Sequence, residues 1–464
     1  MVPDRIAQVL HDVAPLGERF AAAGYRLYLV GGVVRDLLLG RPVSADYDFT
    51  TDARPDDTKR IVVGWADAVW TQGERFGTIG ARRDGLTFEI TTHRAEAYSP
   101  DSRKPDVAFA DAVEHDLERR DFTVNAMALT LSDPVLIDPF GGAADLAARR
   151  LRTPMTPHES FSDDPLRMLR AARFIAAYEL TPDEELVRAV TLMGDRLAIV
   201  SAERIRDELD KLMTVDRPSA GLWFLVETKL ASVFLPELPA LQLEQDPIHR
   251  HKDVLAHTIA VVENVRPEAP GSFRHTRLAA LFHDIGKPKT RGYNESKGVT
   301  FHHHEVVGAR MTRERLLALR YSKDDVERIT RLVELHLRFH TYQMGWTDSA
   351  VRRYVRDAGD LLTELNVLTR CDCTTRNERK AEQLSRRIDE LEARIETLAA
   401  QEELRAMRPD LDGNAVMELL GVGPGPIVGR ALAFLLELRL DEGPLGYDEA
   451  ARRLREWANR ELKA

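Results

Sequence analysis

The spacing of hydrophobic and polar positions divides the chain into two regions of different character. Residues 1–150 contain short runs rich in β-branched and aromatic residues that end at Gly or Asp, a pattern typical of strands: YRLYLVGG, ADYDFTT, FGTIGARR and LTFEITT. From Ser162 onward, apolar residues recur at helical spacing and β-rich runs are nearly absent. The pattern predicts an α+β region followed by a mainly helical region.

Two of the predicted strands carry acidic residues on one face. Side chains two apart in a strand point the same way, so Asp46 and Asp48 lie on one face and Tyr47 on the other. In LTFEITT, Glu89 lies opposite the face formed by the apolar positions, as it would if that face packed into the core and the acid faced a cleft. The alternation therefore predicts three carboxylates on open faces of strands.

The helical region contains one candidate linker and one heptad-like seam. The proline-rich segment FLPELPALQLEQDPIHR, residues 234–250, predicts a boundary near residue 240. Toward the end of the chain, apolar residues alternate steps of four and three over about two heptads; they are Leu384, Ile388, Leu391, Ile395 and Leu398. A seam this short does not argue for a dimer, so we expect packing within the chain and infer no protein partner.

The composition fits an ordinary soluble protein of several domains. The chain has 464 residues, of which 44% are hydrophobic and 30% charged, and it lacks an apolar run long enough for a signal peptide or a membrane span. We therefore expect a cytoplasmic protein without a membrane partner. Cys371 and Cys373 are too few for a disulfide framework. The net charge of −10 argues against general coating of nucleic acid, but Lys and Arg cluster at residues 149–152, 287–291, 352–356 and 376–387.

The spacing of Asp46 and Asp48 suits a cation that accompanies a nucleotide. Two carboxylates held this close repel each other unless a cation lies between them. Mg²⁺ prefers a few carboxylates together with phosphate oxygens and water, so the pair predicts a magnesium–nucleotide site, with Glu89 as a third candidate. The alternative is an ordinary surface pattern, because D-x-D is common.

A glycine turn precedes this strand. Gly31 and Gly32 end the strand LYLV, and a helix that begins at Val33 would present free backbone N–H groups and the positive end of its dipole to a phosphate. Arg35 and Asp36 lie on the first turn of that helix. The alternative is a tight strand-to-helix turn that binds no ligand.

A second group of metal-ligating residue types lies in the helical region. Its members are His257, His283, Asp284, His304, His336 and Asp372. Imidazole and carboxylate together suit divalent transition metals. His302 and His303 next to His304 leave the choice of ligand at that position open. The alternative is a helical scaffold for RNA whose metal site is empty.

Four motifs in the first part of the chain carry a family resemblance through their order and spacing. They are GGVVRDLLLG, DYD, RRDFTVNAMA at residues 119–128 and DDPLRMLRAARF at residues 163–174. Over roughly the first 230 residues, the chain resembles the tRNA nucleotidyltransferase and poly(A) polymerase family, class II branch of the polymerase-β-like superfamily. The segment AYSPDSRKPDVAF, residues 97–109, resembles the family's flexible loop that helps switch nucleotide choice.

This resemblance implies roles for individual residues. Asp46 and Asp48 would bind the catalytic metals, with Glu89 as the third catalytic acid. The residues implied to contact the nucleotide are Gly31, Gly32, Arg35, Arg120, Asp121, Asn125, Asp164, Arg167, Arg170 and Arg173.

Asp164 and Arg167 have the chemistry to select cytosine and adenine. Both bases present an exocyclic amine beside a ring nitrogen acceptor, whereas uracil and guanine present a carbonyl beside an N–H. A carboxylate that accepts from the amine and a guanidinium that donates to the ring nitrogen would pair with C and A only. DDPLRMLRAARF predicts a helix with Asp164 and Arg167 on one face. The alternative is a helix-surface salt bridge at spacing (i, i+3).

The helical region carries a second resemblance. The sequence HDIGK and its flanking histidines resemble the HD phosphohydrolase superfamily. The tail segment 411–432 resembles the C-terminal part of bacterial HD-containing CCA-adding enzymes, where its glycines and prolines either offer N–H groups to RNA phosphate or form a plain turn between helices. Stringent-response enzymes join the same two domain types with HD first, and they lack RRDFTVNA.

The sequence thus predicts a polymerase-β-like nucleotidyltransferase head (1–152), a helical neck and RNA-binding region (153–240), an HD domain (241–375) and a helical tail (376–464). The predicted activity is template-independent, two-metal addition of C, C and A to the tRNA 3′ end from CTP and ATP, with Mg²⁺ in the head and a divalent transition metal in the HD site. The rivals are poly(A) addition, addition of only CC or only A, HD-type phosphohydrolysis, and RNA binding without catalysis.

Overall fold

The computed structural model describes most of the chain, in residues 4–43, 45–97, 106–131, 133–243, 253–294, 298–341, 347–374, 378–402 and 408–461. The predicted flexible loop at 97–109 and the predicted linker at 234–250 therefore lie partly outside the described residues. The chain separates into two compact units, Met1–Pro236 and Glu237–Ala464. The predicted limits at residues 152, 240 and 375 stay predictions.

A seven-stranded mixed sheet organises the first unit. Its strands are β1 (Leu27–Val30), β2 (Asp46–Thr51), β3 (Ala68–Trp70), β4 (Thr78–Arg83), β5 (Leu86–Thr92), β8 (Ala128–Thr130) and β9 (Leu136–Ile137), and two short pairs join β6 (Arg94–Ala97) to β7 (Asp106–Phe109) and β10 (Arg150–Leu151) to β11 (Thr181–Pro182). The strand order is β3-β4-β5-β2-β1-β8-β9. Strands β2 and β5 are parallel, and the other pairs in this sheet are antiparallel.

Helices cover one face of this sheet and continue the first unit. They are α1 (Asp4–Ala22), α2 (Gly32–Leu39), α3 (Pro55–Val62), α4 (Val113–Glu118), α5 (Gly142–Ala147), α6 (Pro157–Asp163), α7 (Leu166–Tyr178), α8 (Glu184–Met193), α9 (Ala202–Met213), α10 (Ser219–Glu227) and α11 (Ala231–Phe234). Leu16 and Phe20 of α1 and Ile61 of α3 pack in one core with Phe49 and Phe88 of the sheet. Because strand side chains alternate, their neighbours in sequence point to the opposite face of the sheet.

Strand register aligns four residues in a row on that opposite face. Asp48 of β2 pairs with Glu89 of β5, Glu89 pairs with Gly80 of β4, and Gly80 pairs with Trp70 of β3. Paired residues on neighbouring strands share a face. The open side of the sheet therefore carries an acid–acid–glycine–tryptophan row across four strands.

The second unit is helical apart from one hairpin. Its helices are α12 (Val254–Asn264), α13 (Phe273–Phe282), α14 (Lys287–Thr290), α15 (His304–Ala318), α16 (Lys323–Leu335), α17 (Asp348–Ala358), α18 (Leu362–Cys371), α19 (Glu378–Glu402), α20 (Gly413–Leu420), α21 (Pro426–Glu442) and α22 (Tyr447–Glu461), and the hairpin joins β12 (Arg291–Asn294) to β13 (Gly298–Phe301). The predicted α+β class is confirmed. The hairpin and the β10–β11 pair are small exceptions to the predicted all-helical regions.

The predicted seam lies on α19, which packs against α17 and α18. Ile388, Leu391 and Leu398 are buried, so this seam packs within the chain. Among the described residues, we find no helix with the length and apolar character that crossing a membrane requires.

Candidate functional site

The turn between β1 and α2 brings backbone close to an acid and a cation. Gly31 has φ 73° and ψ −134°, a conformation that favours glycine. A Cβ atom at Gly31 would lie 3.0 Å from Nη1 of Arg120 and 3.7 Å from Oδ2 of Asp48. Glycine is therefore needed here both for the backbone conformation and for the close approach of the Arg120 guanidinium.

Asp46 and Asp48 project from β2 on the open face of the sheet, as the alternation predicts. Both are exposed, whereas Tyr47 between them is buried. Glu89 lies beside Asp48 on the parallel strand β5. Partial burial raises the pKa of Glu89, and the negative charges of Asp48 and Asp46 raise it further. Negative charges that raise the pKa of a neighbouring carboxyl group in this way favour a cation between the acids.

Although Asp48 as a residue is accessible to solvent, the protein around its carboxyl group desolvates it and raises its pKa; the charge of Arg120 opposes this effect and the charge of Asp46 adds to it. Asp48 thus meets a cationic side chain on one side and acids on the other. This arrangement suits a carboxylate that binds a metal ion while the guanidinium approaches a phosphate group.

A cavity of about 390 Å³ opens beside these acids. Nine of the predicted nucleotide-site and catalytic residues border it: Gly31, Gly32, Asp48, Arg120, Asp121, Asn125, Asp164, Arg167 and Arg170. The cavity is also bordered by four charged residues that the sequence analysis missed, namely Arg94, Asp116, Arg119 and Arg204. Asp46 and Glu89 project from neighbouring positions on the sheet without bordering this cavity.

Asp116 of α4 holds two of the cavity's arginines. Its carboxylate is buried and lies 3.1 Å from Nη2 of Arg120 and 4.0 Å from Nε of Arg119. The only signal for this arrangement in the sequence is the helical spacing of Asp116 to Arg119 and Arg120 in HDLERR. Asp116 therefore positions cations in the cavity.

Asp121 and Arg170 form a mostly buried ion pair in the cavity wall. Arg170 donates through Nε to Oδ2 of Asp121 at 2.9 Å, and Nδ2 of Asn125 donates to Oδ1 at 2.9 Å. Burial alone would raise the pKa of Asp121. The charge of Arg170, with the hydrogen bonds from Asn125 and Arg170, outweighs burial and holds the pKa of Asp121 well below its usual range.

Two predicted nucleotide contacts lie behind the cavity. Arg35 is buried, donates through Nη1 to Oδ1 of Asn125 at 2.5 Å, and stacks 4.1 Å above the centre of the Tyr178 ring. Arg173 donates through Nε to Glu208 at 2.8 Å. In this structure both arginines support the residues that border the cavity.

The predicted placement of Asp164 on a helix is wrong. Asp164 follows α6 in an extended conformation, with φ −140° and ψ 100°, and α7 begins only at Leu166. The cause is Pro165, because a residue before proline is sterically pushed out of the helical region. The motif DDPLR therefore spans the junction between α6 and α7.

Asp164 and Arg167 nevertheless meet at the cavity, each held by other partners. Oδ1 of Asp164 accepts from the Leu166 N–H at 3.1 Å, and Oδ2 accepts from Nη2 of Arg204 at 2.7 Å. Arg167 donates to Oγ of Ser160 at 2.9 Å and to the backbone carbonyl of Arg119. Within the described parts of the chain, no ion pair joins Asp164 to Arg167, so they do not form the helix-surface salt bridge that was the alternative.

The predicted histidine–aspartate group comes together in the second unit. His283 and Asp284 follow α13, His304 begins α15, His336 follows α16 and Asp372 follows α18. His257 lies on α12, and its Nε2 lies 2.9 Å from Oδ1 of Asp372 and 3.6 Å from Oδ2 of Asp284. His304 is buried whereas His302 and His303 are exposed, which favours His304 as the ligand at that position.

The imidazole rings are oriented as metal ligands are. Nδ1 of His283, His304 and His336 lies 2.8, 2.8 and 2.6 Å from a backbone carbonyl, so each Nδ1 carries the proton and each Nε2 offers a lone pair. Nε2 of His304 and Nε2 of His336 are buried and have no hydrogen-bond partner among the residues that the structure describes. Burial lowers the pKa of His336 to about 3, which keeps this imidazole neutral.

The donor set fits a divalent transition metal. Ligand atoms of His257, His283 and Asp284 lie within 4.8 Å of one another, and so do those of Asp284, His304 and His336. Nζ of Lys287 lies 2.6 Å from Oδ2 of Asp284. Burial alone would raise the pKa of Asp284, but the adjacent imidazoles of His283 and His304 and the charge of Lys287 hold it well below its usual range. Asp284 is thus an anionic ligand surrounded by nitrogen donors.

Three family models match the chain in sequence order. The poly A polymerase head domain matches residues 27–152, a probable RNA and SrmB-binding site of polymerase A matches residues 179–241, and the HD domain matches residues 254–377. Most residues that border the cavity fall within the first match, Asp164 to Arg170 fall between the first and second matches, and Arg204 falls within the second. The histidine–aspartate group lies within the third match.

Relatives match over nearly the whole chain. An A-adding tRNA nucleotidyltransferase of Deinococcus radiodurans is 34% identical over 93% of this chain and 95% of its own length. A CC-adding tRNA nucleotidyltransferase of Thermus thermophilus is 33% identical over 91% of each chain. A CCA-adding enzyme of a Geobacillus species is 40% identical over 46% of this chain and 52% of its own.

Solved structures share the fold. The Bacillus stearothermophilus CCA-adding enzyme in complex with CTP superposes with a TM-score of 0.71 over 98% of both chains, at 24% identity. The Thermotoga maritima CCA-adding enzyme complexed with tRNA superposes with a TM-score of 0.60 over 98% of this chain and 96% of its own, at 19% identity.

Proposed function

The chain belongs to the tRNA nucleotidyltransferase and poly(A) polymerase family, and we propose that it adds C, C and A to the 3′ end of tRNA, using CTP and ATP. The family resemblance predicted from the four motifs is confirmed by the matches along the chain. The observation that carries the proposal is the convergence of Asp48, the Gly31 turn and the Asp164–Arg167 pair on one cavity. These groups have the chemistry to bind metal, phosphate and base, respectively.

Base selection follows from the two side chains that border the cavity. Asp164 is an acceptor for the exocyclic amine of C or A, and Arg167 is a donor for the neighbouring ring nitrogen. Their contacts to Arg204, Ser160 and the Arg119 carbonyl hold both side chains in place before a nucleotide binds. A preorganised pair selects bases without a nucleic-acid template, because U and G would present a carbonyl oxygen to the carboxylate.

The reaction is a nucleotidyl transfer. A bond forms between the ribose 3′ oxygen of the tRNA and the α-phosphorus, the bond from that phosphorus to the bridging oxygen breaks, and pyrophosphate leaves while the hydroxyl proton is released to solvent. Asp46, Asp48 and Glu89 would hold Mg²⁺, which supplies activation of the hydroxyl and stabilisation of the charge on phosphorus. Arg120, oriented by Asp116, neutralises phosphate charge, and the Gly31–Gly32 backbone approaches the phosphates closely.

The second unit is proposed to carry a metal-dependent phosphohydrolase site. Its support is the buried, unpartnered Nε2 atoms of His304 and His336 beside Asp284. His257, His283 and Asp372 complete the set of residues that would hold a divalent transition metal. A bound metal of this kind supplies a hydroxide nucleophile for phosphate esters. The competing view is a scaffold for RNA that binds no metal.

Partial addition is the second candidate function. The relatives that match over more than 90% of this chain are called A-adding and CC-adding enzymes, and those names fit an enzyme that adds only part of CCA. An Asp–Arg pair that reads both C and A is compatible with full addition, because one site would then serve all three steps. Poly(A) addition is a further rival, since it uses the same motifs.

The proposal is tested by incubating the protein with tRNA that lacks CCA and with CTP and ATP, and then sequencing the product ends. We expect ends that terminate in CCA and no longer tails. Product ends that stop at CC would indicate CC addition only. Ends that stay unchanged unless the tRNA already carries CC would indicate A addition only, and long A tails would indicate poly(A) addition.

A further inference from the structure

A second groove opens on the same face of the sheet as the three acids. It encloses about 470 Å³, and its walls include Trp70, Phe76, Thr78, Glu89 and Arg94. Of the acids, Asp48 borders the nucleotide cavity whereas Glu89 borders this groove, and Arg94 borders both. The carboxylates therefore separate two adjoining binding spaces.

We infer that this groove holds the 3′-terminal nucleoside of the acceptor RNA, with its base stacked on Trp70. The inference rests on the proposed function, because it names the place of the second substrate of the same reaction.

The distance from Trp70 to the acids fits one nucleoside. Trp70 and Glu89 occupy the same row of the sheet and are two strands apart. Neighbouring strands lie about 4.8 Å apart, so the two backbone positions are separated by roughly 10 Å. A ribose whose 3′ hydroxyl lies next to the acids therefore places its base near the indole ring.

Gly80 between them allows the indole ring to lie against the sheet. A Cβ atom at Gly80 would come within 2.0 Å of Cε2 and Nε1 of Trp70. Trp70 is nonetheless 37% exposed, so part of the ring is open to a ligand. Because Gly80 has no side chain, the indole ring of Trp70 lies against the sheet and offers a stacking surface next to the acids.

The acceptor end is the occupant that the chemistry favours. The attacking hydroxyl and the leaving pyrophosphate lie on opposite sides of the phosphorus, and under the proposed function the arginine-rich cavity takes the triphosphate. Stacking on an aromatic ring tolerates every base, which suits an RNA end whose last base changes after each addition. Arg94, whose Nη2 donates to Oγ1 of Thr78 at 3.0 Å, supplies a cation for the RNA backbone.

Fluorescence of the terminal base tests this contact directly. An acceptor minihelix ending in 2-aminopurine at its 3′ terminus is titrated with the full-length protein without nucleotide, while anisotropy of a distal dye reports binding. We expect quenching of 2-aminopurine with the wild type, and most of that quenching to be lost in Trp70→Ala and partly kept in Trp70→Phe. The exposed Val63 of the same unit gives a matched control, Val63→Ala, that keeps wild-type quenching.

Two further readings guard against misfolding and against failure of the proposed function. Gly80→Ala, which displaces the ring, should lose quenching as Trp70→Ala does. In both variants KM for tRNA should rise about tenfold, with the dissociation constant for CTP unchanged. Wild-type extension with equal quenching in wild type and Trp70→Ala would overturn the inference and leave the proposed function standing. A wild type that neither binds nor extends the RNA would overturn both.

Discussion

Asp48 and Glu89 lie directly opposite each other on the parallel strands β2 and β5, and the negative charge of Asp48 adds to the burial that raises the pKa of Glu89. These strands are separated in sequence by β3 and β4. A strand pairing between segments distant in sequence therefore holds two acids side by side, which is the arrangement that a nucleotidyl transfer site needs.

Replacing Asp46 or Asp48 with Ala should abolish addition of both C and A and leave tRNA binding largely intact, because the acids hold metal and the RNA is held elsewhere. Glu89→Gln should lower the rate strongly for the same reason. Extension of tRNA and a filter-binding assay measure the two effects. Asp84→Asn is the control, since Asp84 is an exposed turn residue of the same unit. Substantial activity in Asp46→Ala or Asp48→Ala would contradict their assignment as metal ligands.

Asp164→Ala should raise incorporation of U and G relative to C and A, because it removes the acceptor that repels a carbonyl oxygen. Arg167→Ala should lower use of both correct nucleotides, since it removes a charge-assisted bond of about 1.5–3 kcal/mol. Single-nucleotide insertion with each of the four nucleotides gives the ratios. Wild-type fidelity and rate in both variants would remove the base-reading role.

Arg204→Gln should weaken the same discrimination to a smaller extent, because Arg204 holds Oδ2 of Asp164 in place. Arg206→Gln on the same helix is the matched control, as Arg206 pairs with its neighbour Asp207. The insertion ratios of the two variants are compared directly. Equal ratios would mean that Arg204 does not position Asp164.

Asp121→Asn should destabilise the first unit by about 3 kcal/mol at neutral pH, because it removes the charged hydrogen-bond acceptor of Arg170 in a mostly buried site and leaves only Glu208, at 3.6 Å, to balance the guanidinium. The pKa of Asp121 is lower in the folded than in the unfolded state, so its contribution is fully present above an unfolded pKa of about 4 and is lost as pH falls further. The difference in unfolding free energy between the two proteins should therefore shrink steadily as the pH falls below about 4. A difference that is constant with pH would contradict the ion-pair account.

Asp284→Ala should abolish binding of divalent transition metal by the second unit and spare nucleotide addition, because the acids of the head belong to the other unit. Metal content after dialysis against Ni²⁺ or Mn²⁺ and extension of tRNA measure the two effects. The exposed His303 provides the control His303→Asn, which should keep the metal. Full metal content in Asp284→Ala would sink the proposed ligand set, and loss of both properties would mean a structural role for Asp284.

The strand alternation was enough to predict the acids and the α+β class, because side-chain period and turn glycines are local signals. The pairing of β2 with β5, which brings Glu89 beside Asp48, has no local signal and needed the structure. The conformation of Asp164 could have been predicted from Pro165, because a residue before proline is sterically excluded from the helical region. The helical pattern of DDPLRMLRAARF was instead extended over Asp164. Arg204 escaped prediction because its role depends on a contact to Asp164, forty residues earlier in the chain. Asp116 had a local signal, its helical spacing to Arg119 and Arg120, which the sequence analysis did not use.

The central claim is that one site adds C twice and then A, and it is tested most directly by measuring extension of three tRNAs that end at the discriminator base, at C and at CC, with CTP or ATP supplied alone. The account predicts that CTP alone extends the first tRNA by two nucleotides and the second by one, and that ATP alone extends the third by one. Failure of CTP to extend the first tRNA, or failure of ATP to extend the third, would contradict full CCA addition.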